Sequence, residues 1–147
     1  MLATGLVHYT SSQEPDIWIP ILKDRVAVRL PGGKTDQEFA IVELISPAGG
    51  GVPRHLHQRE DEIFIIDEGI CTFEIGDTSF DAGPGSVTVL PRGVPHAWWN
   101  RNDEPVRMHV MFRPAGFENF FAENLKLNST VEGMGRLLKD RYGIIML

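Results

Sequence analysis

Cysteine is almost missing from this chain. Its 147 residues hold one, Cys71, so no disulfide can close within the chain and no cluster of thiolates can hold a metal. That usage suits a reducing compartment, and a cytoplasmic location is expected. A basic excess is also missing. Fourteen Lys and Arg stand against twenty Asp and Glu, for a net charge of -6, which argues against nucleic acid as a partner. No apolar run approaches the roughly 20 residues of a membrane span, so no membrane role is expected. The opening Met-Leu-Ala-Thr-Gly-Leu-Val-His lacks the basic stretch and apolar core of a signal peptide. Internal repeats and low-complexity tracts are absent too.

What is present is ordinary for a globular domain, with 42% hydrophobic and 23% charged residues. A single domain over 1–147 is expected. Short alternating segments recur between clusters of Gly, Pro, Asn and Asp. Ile17 to Ile19 reads as an edge strand stopped by Pro20, and Val26 to Leu30 as a second strand. Phe39 to Ile45 puts Phe39, Ile41 and Glu43 on one face and Ala40, Val42 and Leu44 on the other. Ile63 to Ile66 is continuously apolar and reads as a strand buried on both faces. Gly76-Asp77 reads as a two-residue hairpin connection. About nine such strands predict an all-β sandwich or barrel. The tail differs. Phe117, Phe120, Phe121 and Leu125 recur at helical spacing, and Ser129 with Glu132 fits a capping box for a second helix. That helix would bury Met134, Leu137, Leu138 and Tyr142 and end at Gly143. Ile144 to Leu147 is apolar and is expected to pack on the barrel or on a second subunit.

The chemistry concentrates between Gly49 and Gly69. His55 and His57 lie two apart on a predicted strand, so both imidazoles face the same way, and Glu62 follows five residues on. Two imidazoles and a carboxylate converging after a bend are metal ligands by residue type. Glu60 and Asp61 are rivals to Glu62 in sequence.

Gly49, His55, His57, Glu62 and Gly69 also fill every fixed position of the first cupin motif, and Gly85, Pro91, Gly93, His96 and Asn100 fill the second. Fifteen residues separate the two, the short spacing of compact cupins. The wording Pro-Arg-His-Leu-His-Gln-Arg-Glu-Asp-Glu-Ile-Phe, Leu-Pro-Arg-Gly-Val-Pro-His-Ala-Trp-Trp-Asn and Pro-Ala-Gly-Phe-Glu-Asn-Phe-Phe resembles single-domain cupins of the quercetin 2,3-dioxygenase-like group. Two departures stand out: Asp67-Glu68-Gly69 replaces the usual Leu-Glu-Gly, and the tandem Trp98-Trp99 is unusually bulky.

The resemblance implies a double-stranded β-helix (jelly-roll, cupin) barrel with a core over about 36–114 and two short C-terminal α-helices over about 116–143. It implies that His96 joins His55, His57 and Glu62 around one divalent transition metal ion per chain: Fe, Mn, Ni, Co, Cu or Zn. It also implies a dioxygenase acting on a small hydroxylated aromatic or enol substrate, with Glu62 as the catalytic base. An oxygen-independent isomerase or polyketide cyclase and a non-catalytic small-molecule binder are the alternatives. Strand alternation turns Phe64, Ile66 and Trp98 toward the substrate and Trp99 away. Asn100 is expected to fix a turn, His109 to lie at the surface, Cys71 to be a buried apolar group, and His8 to have no role. A homodimer is expected from the apolar sheet face and edge strands of such a barrel, using the N-terminal strands or the apolar tail.

Overall fold

A computed structural model describes residues 8–147. Eleven strands are formed among them. They are β1 (Ile19–Ile21), β2 (Asp24–Leu30), β3 (Ala40–Ser46), β4 (Gly51–His57), β5 (Asp61–Glu68) and β6 (Cys71–Ile75), followed by β7 (Thr78–Ala82), β8 (Val87–Leu90), β9 (His96–Trp99), β10 (Val106–Arg113) and β11 (Ile144–Met146). Two antiparallel sheets result, ordered β1-β2-β3-β10-β5-β8 and β11-β4-β9-β6-β7. They face each other as a jelly roll, and the apolar sides of their strands make one core. Val26, Val42, Phe64, Phe73, Leu90 and Met108 are all at most 1% exposed in it. Phe64 from one sheet meets Phe73 from the other edge-on, 5.2 Å between ring centroids.

The chain crosses between sheets at residues 58–60, so β4 and β5 follow each other in sequence but lie in different sheets. That crossing sets up the site. Strands β4 and β9 are zipped together at both ends. The Gly49 N–H donates to the Asn100 carbonyl (2.9 Å) and the Asn100 N–H to the Gly50 carbonyl (2.9 Å), while at the far end the Gly93 N–H donates to the His57 carbonyl (2.7 Å). Gly51 has φ +139, and a Cβ there would sit 2.3 Å from the Trp98 carbonyl oxygen, so only glycine permits this approach. Asn100 fixes the turn after β9, as expected. Its amide donates to the Ser46 and Glu104 carbonyls, and its Oδ1 accepts from the Asn102 N–H.

Several local expectations need correction. Pro20 lies inside β1 and does not stop it; β1 is an edge strand, where a missing donor costs no ladder bond. Ile65 is 39% exposed, so β5 is not buried on both faces; only Phe64 and Ile66 point into the core. The tail holds α1 (Asn119–Leu127), α2 (Val131–Leu137) and a π-helical turn over Leu138–Tyr142 that ends at Gly143. Phe120 and Phe121 are buried, but Leu125 is half exposed and takes no part in the core. The cap of α2 is Thr130, whose hydroxyl accepts from the Gly133 N–H at 3.0 Å, one residue later than the expected Ser129. Leu138 is buried, with Met134, Leu137 and Tyr142 packed partly against the core. The apolar Ile144–Met146 segment is β11, which pairs with β4 in the same chain.

Candidate metal centre

Strand β4 runs from its glycine turn into Pro53, Arg54, His55, Leu56 and His57. Its register against β9 slips by one residue between Val52 and His55, and past that bulge His55 stands directly opposite His96. Strand β5 delivers Glu62 from the other sheet. His55, His57, Glu62 and His96 are all buried, and each offers one ligand atom such that all four atoms lie within 4.8 Å of one another. The ring centroids of His55 and His96 are 4.4 Å apart.

The hydrogen bonds around the cluster fix what its atoms can do. His55 Nδ1 donates to the Pro53 carbonyl (2.7 Å), His57 Nδ1 to Glu60 Oε1 (2.5 Å), and His96 Nδ1 to the Val94 carbonyl (3.0 Å). With every Nδ1 hydrogen spent outward, a neutral ring presents a bare Nε2 lone pair inward. His96 Nε2 then faces Glu62 Oε2 at 2.9 Å and His57 Nε2 faces it at 3.3 Å. For neutral rings these are acceptors facing acceptors. Glu62 Oε2 and His96 Nε2 are buried without a hydrogen-bond partner. A divalent cation held among the four resolves that conflict, so the residues fit a metal ion.

Charge follows the same logic. Burial pushes His55 down to about 4, although the neighbouring Glu62 carboxylate opposes this, so its ring is neutral at pH 7. Burial also pulls on His57, but Glu62 and Glu60 together outweigh it and raise this imidazole above its ordinary value. For Glu62 burial acts upward and is overcome by His57 and His96, which hold the carboxyl at about 2 and keep it ionised.

Glu60, a sequence rival of Glu62, is 4% exposed and holds the back of His57; the i, i+3 spacing was the available signal for it. Asp61 turns outward to Arg92, whose hydrogen bonds lower its pKa. Phe117 packs edge-on against His57 at 5.0 Å, a contact from the tail that spacing could not show. Phe64 and Trp98 line the cavity in front of the cluster. Ile66 does not; it is buried in the core at 1% exposure. Asp24 also lines that cavity and carries no motif signal. His109 lies on the outer face, half exposed, bonded to Asp67 (2.6 Å). Cys71 is fully buried and burial pushes its thiol up to about 12.

Residues 42–112 match the family model described as "Cupin domain". This segment is a cupin domain. Solved structures with the same fold include KdgF from Halomonas sp., at 15% identity and a TM-score of 0.68, covering 76% of this chain and 98% of that one. A predicted oxalate decarboxylase from Thermotoga maritima superposes with a TM-score of 0.64 at 18% identity, covering 73% and 99%. A Streptomyces PAC13 variant solved with uridine gives 0.61 at 15% identity, covering 76% and 86%. No curated protein matches the chain's sequence significantly.

Proposed function

We propose that this cupin is a mononuclear metal-dependent dioxygenase acting on a small hydroxylated aromatic or enol substrate. One observation carries the reading: an apolar cavity of about 320 Å³ ends on the buried His55, His57 and Glu62 side chains. A bound divalent ion would supply a Lewis-acidic centre for a substrate oxygen and dioxygen. His55, His57, His96 and Glu62 would hold it, each imidazole oriented by its outward Nδ1 bond.

The protein's own side chains account for the rest. Phe64 and Trp98 form a flat apolar wall, which aligns a planar substrate and excludes water. Glu62 is ionised and is the one carboxylate in the cluster, so it is assigned the proton of the substrate hydroxyl. The transfer would be helped by coordination of the substrate hydroxyl to the ion, which raises its acidity, and it favours an enol or phenol over an alcohol.

Oxygen-electrode traces with a panel of flavonols and β-diketones test the proposal. Metal-dependent uptake on at least one is expected, with loss of uptake in Glu62→Gln. Conversion under argon would instead assign an oxygen-independent isomerase or cyclase, a class that one relative's description as a sugar phosphate isomerase keeps in view. Ligand retained through purification with no conversion would assign a binding role.

A further inference from the structure

The cavity is sharply selective in what it offers a ligand. Among the described residues, its polar side chains apart from the metal ligands are Asp24 and the indole of Trp98, and no lysine or arginine lines it. A substrate phosphate or second carboxylate would find no cation along these walls, and beyond one acceptor at Asp24 the hydroxyls of a sugar would go unpaired. The body of the ligand that fits is therefore neutral and apolar, with its oxygen-bearing end at the cluster.

The tail supplies the wall facing that body. Val131, Met134, Gly135 and Leu138 line the cavity at i, i+3, i+4 and i+7, so one face of α2 and its continuation borders it, with Val131, 75% exposed, at the rim. This face is apolar except for a gap at Gly135. Glycine in a helix interior weakens the helix relative to alanine. Here neither usual structural reason for glycine applies. Gly135 does not have a left-handed φ, and a Cβ built on it would meet nothing within 4 Å. The missing side chain leaves open space in the cavity wall, at a cost to a helix of only seven residues.

We propose that Gly135 is a specificity-determining residue that sets the length of ligand this cupin accepts, by leaving room under α2 for the far end of a neutral apolar substrate. The inference rests on the cavity being the substrate site, but not on the reaction carried out there. A side chain at position 135 would project into the cavity and shorten it.

Binding of a 4-alkylphenol series, from phenol to 4-octylphenol, to the zinc-loaded protein provides the test, read by calorimetry and by quenching of tryptophan fluorescence. Affinity should rise with chain length in the wild type. Gly135→Leu should lower affinity for the longest members tenfold or more, leave phenol within about twofold, and leave zinc content unchanged. Gly135→Ala should give a smaller loss in the same order together with a raised melting temperature, which separates filling of the cavity from damage to the fold. Equal loss across the series, or no loss, would overturn the assignment. A wild type that binds no alkylphenol but binds oxalate, a hexose phosphate or uridine would overturn the ligand class. Length-dependent binding without oxygen uptake on any substrate would sink the dioxygenase reading and leave this one standing.

Discussion

At the scale of single residues, the centre is defined as much by what stands behind the imidazoles as by the imidazoles themselves. Glu60 accepts the Nδ1 hydrogen of His57 and keeps its Nε2 lone pair aimed inward. Replacing Glu60 by Gln keeps an acceptor but removes its charge. Metal affinity, measured by competition with a chelating dye, should fall by roughly 10-fold, toward the low end of what such outer partners contribute, with the fold intact. Asp24 makes a separate prediction. Burial pushes its carboxyl up to about 6 from 3.8, and the neighbouring Ser46 and Gly51 offset only part of this. A carboxyl whose folded pKa lies above its unfolded value leaves the fold unpenalised below about pH 4. It then costs stability progressively as pH rises through 6. The shift corresponds to up to about 3 kcal/mol at pH 7. Asp24→Asn should therefore be more stable than wild type at pH 7 and nearly equal to it at pH 4 in urea melts. The four ligands could be read from their spacing, because a strand's alternation and the two glycine-bounded motifs constrain where they point. The Nδ1 partners of His55 and His96 could not, since they are backbone carbonyls of Pro53 and Val94, and a carbonyl carries no residue signature.

At the scale of elements, the barrel strands were legible where both faces differ. Phe39 to Ile45 alternates because β3 has distinct inner and outer neighbours. Its buried outward Glu43 is held by Arg29 and by Arg107, whose guanidinium donates to it at 2.6 Å. Where a run is uniformly apolar, as in Ile63 to Ile66, alternation gives no sign of which side is wet, and Ile65 turned out to be exposed. Two of the pocket-facing expectations, Phe64 and Trp98, follow from alternation. Ile66 fails because the cavity occupies only part of the inner face of β5. In the tail, helical spacing located α1 and α2 but not their caps, because Ser129 and Thr130 are equally suited by residue type and only backbone geometry chooses between them. Thr130→Ala removes the one side-chain bond at the N-terminus of α2 and should cost about 1 kcal/mol of stability. Hydrogen exchange should locate the loss in 129–138 and leave β4 and β9 protected.

At the scale of the whole molecule, four ligands from three strands and two sheets converge on one point, so an ion there joins the sheets to each other. Metal at 100 times its dissociation constant should add about 2.7 kcal/mol, and a chelator should remove it. Differential scanning calorimetry should register this as a rise of roughly 5–10 °C in melting temperature. A melting temperature unchanged by metal would mean that the cluster holds none. The second copy expected from the sequence has more than the apolar tail open to it: β11 already pairs with β4, although Met146 and Leu147 stay 42% and 64% exposed. We propose that it uses the outer face of the edge strand β8, where Val87 and Val89 are 63% and 51% exposed beside Ile65. Sedimentation should show a dimer that Val89→Lys dissociates; a wild type that remains monomeric at high concentration would end the idea.

The pairing of β11 with β4 reaches further than the tail itself. Ile144 lies opposite His57, Met146 opposite His55, and the Leu147 N–H donates to the Arg54 carbonyl. Residues 144–147 are therefore splinted to the strand that carries two of the four ligands, and whatever grips that strand also grips them. A filled centre should slow hydrogen exchange in 144–147 together with β4, so a segment that holds no ligand of its own would still register the ion.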